Sequence, residues 1–239
     1  MSCFGTFARK RVAAGNATRV LALAAGLCAT ATTVAAHDAG ATPKEESQYE
    51  HSLLDQATRS KADYAIPQIK LVRADGKTVW LADEINDGRP VVMDFIYTTC
   101  TSICPVSSQT LAGLQTKLGA ASSAVHLVSI SIDPENDTPD RLRQYARKFG
   151  AGPAWNYYTG TLAASNAAQH AFDVYRGDKM SHTPVTLIRA APGQSWVRID
   201  GFATPDQLFS ELREVVSARA SAPRAIASHT TASHPLTTN

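Results

Sequence analysis

The stretch PVVMDFIYTTCTSICP, residues 90–105, runs a nearly continuous apolar segment into two cysteines and a proline. Pro90 to Tyr97 has the pattern of a central strand buried on both faces. Cys104 can open a helix with Pro105 in its first turn, where a missing N–H is harmless. Leu111, Leu114 and Leu118 then fall at helical spacing, and Gly119 can end the helix. A strand, a cysteine, a short loop, a second cysteine and a helix put the pair at the carboxyl end of a strand. Open α/β sheets commonly bind ligands there.

Outward from this stretch the elements alternate. Ile69–Val72 and Thr78–Leu81 flank Ala74-Asp75-Gly76-Lys77, an Asp-Gly hairpin signal. Val125 to Ile132 reads as a second buried strand. Thr138-Pro139-Asp140 begins a helix with a cap, a proline and an acid, burying Leu142, Tyr145 and Phe149 and closing on Arg147, Lys148 and Gly150. Trp155–Tyr158 reads as a short strand and Ala163–Val174 as a small helix. Val185–Arg189 and Trp196–Ile199 form a hairpin around Ala191-Pro-Gly193. Thr204-Pro-Asp-Gln207 is a capping box for a last helix that buries Leu208, Leu212 and Val215. The alternation predicts an α/β fold: one central mixed sheet flanked by helices, with an N-terminal hairpin, over residues 64–219.

The ends read differently. Residues 1–36 carry Arg9, Lys10, Arg11 and Arg19 without an acid, then the apolar run VLALAAGLCATATTVAA ending in Val34-Ala35-Ala36. This is an export signal with a small-residue cleavage pattern, or a short membrane anchor, and it implies an exported product. The product would be periplasmic, or tethered to the membrane facing the periplasm. Residues 37–63 are polar and aperiodic and read as a linker. Residues 220–239, small and polar with prolines, read as a disordered tail in which His229 and His234 are solvated.

Removing the leader removes four of the 23 basic residues, leaving 19 against 21 acidic ones. A slightly acidic chain with no basic stripe has no electrostatic footprint for nucleic acid. Cleavage also removes Cys3 and Cys28, so Cys100 and Cys104 have only each other. A disulfide between them closes too small a loop to constrain the unfolded chain much, so a purely structural staple is a weak reading.

Two chemistries remain, and both use thiolate. The partial positive charge at a helix start stabilises a thiolate, the form that attacks disulfides and binds soft metals. Three residues separate the cysteines, where a thioredoxin-type motif has two. This loop can close a disulfide, and it can also turn both sulfurs toward one ion. Soft thiolates select Cu(I), Zn or iron–sulfur clusters, and cysteine-only zinc and iron–sulfur sites normally need four sulfurs. Two thiolates alone could hold Cu(I), and a third ligand from elsewhere would strengthen the case for a mononuclear site. His182, in GDKMSHTPVTLI directly before the strand at Val185–Arg189, is the candidate. Thr183-Pro184 before an apolar strand is the pattern that thioredoxin-like folds place beside their cysteines, usually with a cis proline. A cis Thr183–Pro184 bond is therefore expected, projecting His182 over the cysteine loop.

From about Ala65 to Ser217 the chain resembles the SCO/SenC family of thioredoxin-like copper proteins. The residues that carry the resemblance are Cys100-Thr-Ser-Ile-Cys104-Pro105, Asp133-Pro134-Glu-Asn-Asp137-Thr138-Pro139 and His182-Thr183, in that order. The resemblance implies a thioredoxin-like fold and a copper ion, Cu(I) or Cu(II), held by Cys100, Cys104 and His182. It implies assistance in delivering copper to the copper-site subunit of cytochrome c oxidase or another copper protein. The alternative it carries is a thiol-disulfide oxidoreductase whose redox couple is Cys100/Cys104, acting on a disulfide partner. Two positions depart from the family's usual pattern: Thr101 stands where proline often follows the first cysteine, and Ser181 where an acid often precedes the histidine. The missing acid withdraws support from the imidazole.

Other residues read as structural. Asp133 and Asp137 shape a strand-to-helix turn, His126 packs in or at the edge of the sheet, and His170 is solvated. Met180 is a loop methionine, and Trp80, Trp155 and Trp196 are packing residues. The sequence has no Gly-rich phosphate loop and no Ser-His-Asp order.

Overall fold

The computed structural model describes residues 57–221. The expected leader, most of the linker and nearly all of the tail, with His229 and His234, lie outside the described residues. The strands are β1 (Thr58–Ala62), β2 (Lys70–Arg73), β3 (Thr78–Trp80), β4 (Val91–Ile96), β5 (His126–Ser131), β6 (Trp155–Thr159), β7 (Val185–Arg189) and β8 (Trp196–Asp200). The helices are α1 (Leu81–Ile85), α2 (Ile103–Leu118), α3 (Pro139–Lys148), α4 (Leu162–Ala171) and α5 (Pro205–Ser221), with 3-10 turns at Gly119–Ala124 and Lys179–Ser181.

The strands form one mixed sheet in the order β1-β8-β7-β4-β5-β6-β2-β3. β4 pairs in parallel with β5, and β5 with β6, through helical crossovers; the other pairings are antiparallel. Every residue of β4 and β5 is buried, because helices cover both faces. The hairpin β2–β3, the hairpin β7–β8 and the helices after Cys100 and Thr138 stand where the pattern placed them.

The caps are also as expected. Thr138 Oγ1 accepts from the Arg141 N–H at 3.3 Å. Thr204 and Gln207 exchange reciprocal bonds, Gln207 N–H to Thr204 Oγ1 at 3.1 Å and Thr204 N–H to Gln207 Oε1 at 2.8 Å.

The structure corrects four readings. Residues 58–62 of the expected linker form β1, an edge strand paired antiparallel with β8 from Thr58–Asp200 to Ala62–Trp196. Its polar sequence TRSKA hides it, because only its backbone is needed to pair. At the other end, α5 runs to Ser221, past the expected start of the tail. Trp80 is 42% exposed, lying under the Lys70 ammonium rather than in the core, while Trp155 and Trp196 are buried. Finally, among the described residues no peptide bond is cis, so Thr183–Pro184 is trans. Pro184 precedes the first residue of β7 and its carbonyl accepts from Gly201 N–H at 2.9 Å. A strand-leading position asks no N–H of proline, so the ordinary isomer fits.

Candidate metal and redox site

The loop between β4 and α2 holds the cysteines, both reduced and both buried, with Cys100 at 6% exposure and Cys104 at 1%. Cys104 is the second residue of α2, and its N–H donates to Cys100 Sγ at 3.3 Å. That amide is one of the helix's unpaired donors, so the Cys100 sulfur takes the place of an N-cap side chain. The consequences for the two thiols are opposite. At Cys100, burial works against ionisation, but hydrogen bonds from the Cys104 and Ser102 backbone, and from Cys104 and Tyr97, outweigh it and bring the pKa down to about 7. At Cys104, burial dominates and the Cys100 sulfur adds to it, so its thiol is pushed well up. The sequence led us to expect thiolate character for both; the structure divides the pair into one ionisable and one protonated thiol.

His182 follows the 3-10 turn at Lys179–Ser181 and is buried. Its Nε2 lies 2.9 Å from the Phe95 carbonyl. A carbonyl can only accept, so Nε2 carries the proton and the Nδ1 lone pair is left for a ligand. The Phe95 carbonyl points away from β5, since its neighbour Ile96 bonds Ile132 N–H on that side. On its own side β7 pairs only as far as Asp94–Thr186, so the imidazole meets a carbonyl the ladder leaves open. Burial lowers the His182 pKa, against the smaller opposing effect of the Phe95 bond. Burial thus favours the neutral imidazole, the form a metal requires. The backbone of β4 supplies the orienting acceptor that the acid missing at Ser181 would have given.

Two buried acids hold the cysteine loop and the histidine segment in position. Asp137 accepts from Thr98 N–H at 3.1 Å, from the Thr98 hydroxyl, and from Ser131 Oγ at 2.6 Å, so it braces the loop two residues before Cys100. Asp133 receives the Lys179 ammonium at 2.6 Å, three residues before His182. DPENDTP therefore shapes its own turn, as expected, and also ties both halves of the site to the end of β5. The sequence showed the motif but not these attachments, which join residues 39 and 46 positions apart.

The pieces lie at the same end of the sheet but do not yet share a centre. Among the described residues no three His, Cys, Asp or Glu side chains converge as a metal cage. His182 lines a cleft of about 430 Å³ with Asp133, Glu135, Tyr175, Arg176 and Lys179, and neither cysteine lines it. His126, by contrast, is a packed residue. Its Nδ1 lies 3.0 Å from the Glu84 carbonyl and its Nε2 3.1 Å from Asn156 Nδ2. His170 is exposed, as expected, with its ring 4.1 Å from that of Tyr175.

A mixed sheet flanked by helices, with a dithiol between a buried strand and the helix after it, defines a thioredoxin-like α/β protein. Sco proteins are among its structural neighbours. The copper-bound ScoI of Arabidopsis thaliana is 26% identical with a TM-score of 0.54, covering 64% of this chain and 99% of that one. BsSco, described as having a disulfide switch and as a member of the Sco family of cytochrome c oxidase assembly proteins, is 25% identical with a TM-score of 0.56, covering 67% and 98%. Residues 57–217 match the SCO1/SenC family, and the chain belongs to it. The SCO1 protein homolog of Bacillus subtilis is 34% identical over 106 residues, 44% of this chain; the match spans about half of that relative, 54% of its length.

Proposed function

We propose that this chain is a copper-binding metallochaperone of the SCO type. Cys100 and Cys104 are its thiolate ligands and His182 Nδ1 its imidazole ligand, and copper, Cu(I) or Cu(II), is its cargo. The observation that carries this reading is the bond from buried His182 Nε2 to the Phe95 carbonyl. It fixes the tautomer that leaves Nδ1 unprotonated in a neutral ring, the arrangement of metal-bound histidines. The recipient is the copper-site subunit of cytochrome c oxidase, or another copper protein. The leader pattern supports an exported product, periplasmic or tethered facing the periplasm. Among the described residues no helix is long and apolar enough to cross a membrane.

Because no third nitrogen or carboxylate donor yet stands beside the sulfurs, loading draws the His182 segment and the cysteine loop together. Titration of the reduced protein with Cu(I) tests this. We expect about one ion per chain, as for a single soft-ligand site. Cys100→Ser or Cys104→Ser should abolish tight binding, and His182→Ala should weaken it by about tenfold or more. An unchanged affinity in His182→Ala for both oxidation states would remove the histidine from the site.

One observation favours a second reading, thiol-disulfide exchange by the Cys100/Cys104 couple. An ionisable Cys100 beside a protonated, buried Cys104 is the asymmetry of an attacking and a resolving thiol. Reduced protein that loads a copper acceptor yet reduces no disulfide partner would dismiss this reading, and the reverse result would dismiss copper delivery.

A further inference from the structure

Met180 has no packing role. At 74% exposure it is the most solvated of the exposed large hydrophobic side chains among the described residues. Yet it is held in place. Asp178 Oδ1 accepts the Met180 N–H at 2.9 Å, and the neighbouring Lys179 is anchored on Asp133. The Tyr97 hydroxyl donates to Met180 Sδ at 3.7 Å. Tyr97 is itself buried, stands three residues before Cys100, and its carbonyl accepts from the Cys100 N–H at 3.2 Å. The residue that holds a sulfur in solvent by its hydroxyl thus holds the Cys100 backbone by its carbonyl.

A thioether is a soft donor that suits Cu(I) and has little affinity for hard cations. The two cysteine sulfurs are buried, whereas the Met180 sulfur stands in solvent beside the residue that leads into the cysteine loop. Solvating an apolar side chain gains nothing from the hydrophobic effect, and holding it by its sulfur fixes that atom beside Tyr97, where the cysteine loop begins.

We propose that the Met180 thioether is the outer ligand that receives Cu(I) at the surface and passes it inward to Cys100 and Cys104, with Tyr97 holding the sulfur in position while it is empty. This rests on the copper-binding reading above and adds a residue to it. The transfer is ligand exchange without redox change. A donor ligand leaves Cu(I) as the Met180 sulfur binds, and Met180 leaves as the cysteine sulfurs bind. The metal stays monovalent, and the thiol protons go to solvent.

The test uses the full reduced chain and its Met180→Leu variant, each mixed with Cu(I)–bicinchoninate while the colour of the chelate is followed. Leucine keeps the size and apolar character and removes only the sulfur. Both proteins should reach the same final Cu(I) content, with uptake by the variant about tenfold slower, the low end of what removing a supporting group costs a metal site. In selenomethionine-labelled protein loaded below one equivalent, the selenium absorption spectrum should show a copper neighbour. That signal should fall in Met180→Leu, since the other two methionines, Met1 and the buried Met93, are the same in both proteins. Equal uptake rates overturn the proposal and leave the copper reading standing. Wild-type protein that takes up no Cu(I) overturns both.

Discussion

Asp94 lies at the centre of β4, six residues before Cys100, where it is almost completely buried. Ser129 Oγ donates to its Oδ1 at 2.6 Å while accepting from the Trp155 indole N–H at 3.0 Å, and Oδ2 has no partner. Burial raises its pKa from 3.8 to about 7, against a smaller lowering by Ser129. The folded state therefore holds a proton that the unfolded chain releases near pH 4. Between pH 4 and 7 folding takes up that proton, so this group makes stability fall as pH rises through the window and leaves it flat above. Asp94→Asn is neutral at every pH and removes the slope. Thermal melts from pH 5 to pH 8 should show the variant gaining on wild type by an amount on the order of a few kcal/mol. Parallel curves for the two proteins would show that the carboxylate sits there without cost.

At the scale of elements, the site depends on how α2 is seated, since α2 carries Cys104 in its first turn. It packs against α5 at Gly113, where a Cβ would come within 2.5 Å of Pro205 Cγ, a ring atom that cannot swing aside. That contact sets how closely the two helices approach. Gly113→Ala should gain helix propensity and still lose stability by about 1–3 kcal/mol, the usual cost of overpacking. Denaturant unfolding measures the balance, and a variant more stable than wild type would mean that Pro205 yields. The same mutation should raise the reactivity of Cys104 toward alkylation, because burial is what keeps that thiol protonated.

At the scale of the molecule, β1 covers the open edge of β8 and would otherwise leave a row of unpaired backbone groups exposed. It also carries Arg59, whose guanidinium bonds Glu211 at 2.7 Å and Glu214 at 3.1 Å on α5. A chain beginning at residue 64, where apolar periodicity starts, should melt several degrees lower than one beginning at residue 57 and associate more readily in light scattering. A loss of about 1 kcal/mol in a domain of this size corresponds to a shift of that order. Equal melting temperatures would make β1 a passive strand.

The sequence by itself determined the elements whose cause is local. An apolar run has to be buried, so β4 and β5 were legible from residues 90–97 and 125–132. Caps and turns act through neighbours a few residues apart, so Thr138, Thr204 and the Asp75-Gly76 turn could be read directly. The order of the cysteines, the DPENDTP segment and His182 was enough to suggest the family to which residues 57–217 match. Long-range contacts between groups with no local signature were decided only by the tertiary structure. β1 exists because β8 offers it a backbone edge, and its own side chains do not show it. The His182 proton is placed by a Phe95 carbonyl, and every residue has a carbonyl. Cys100 and Cys104 share one helix start in sequence, yet hydrogen bonds lower the pKa of the first thiol while burial raises that of the second. Ionisation follows the dielectric and hydrogen bonds around a group, and only folding sets those.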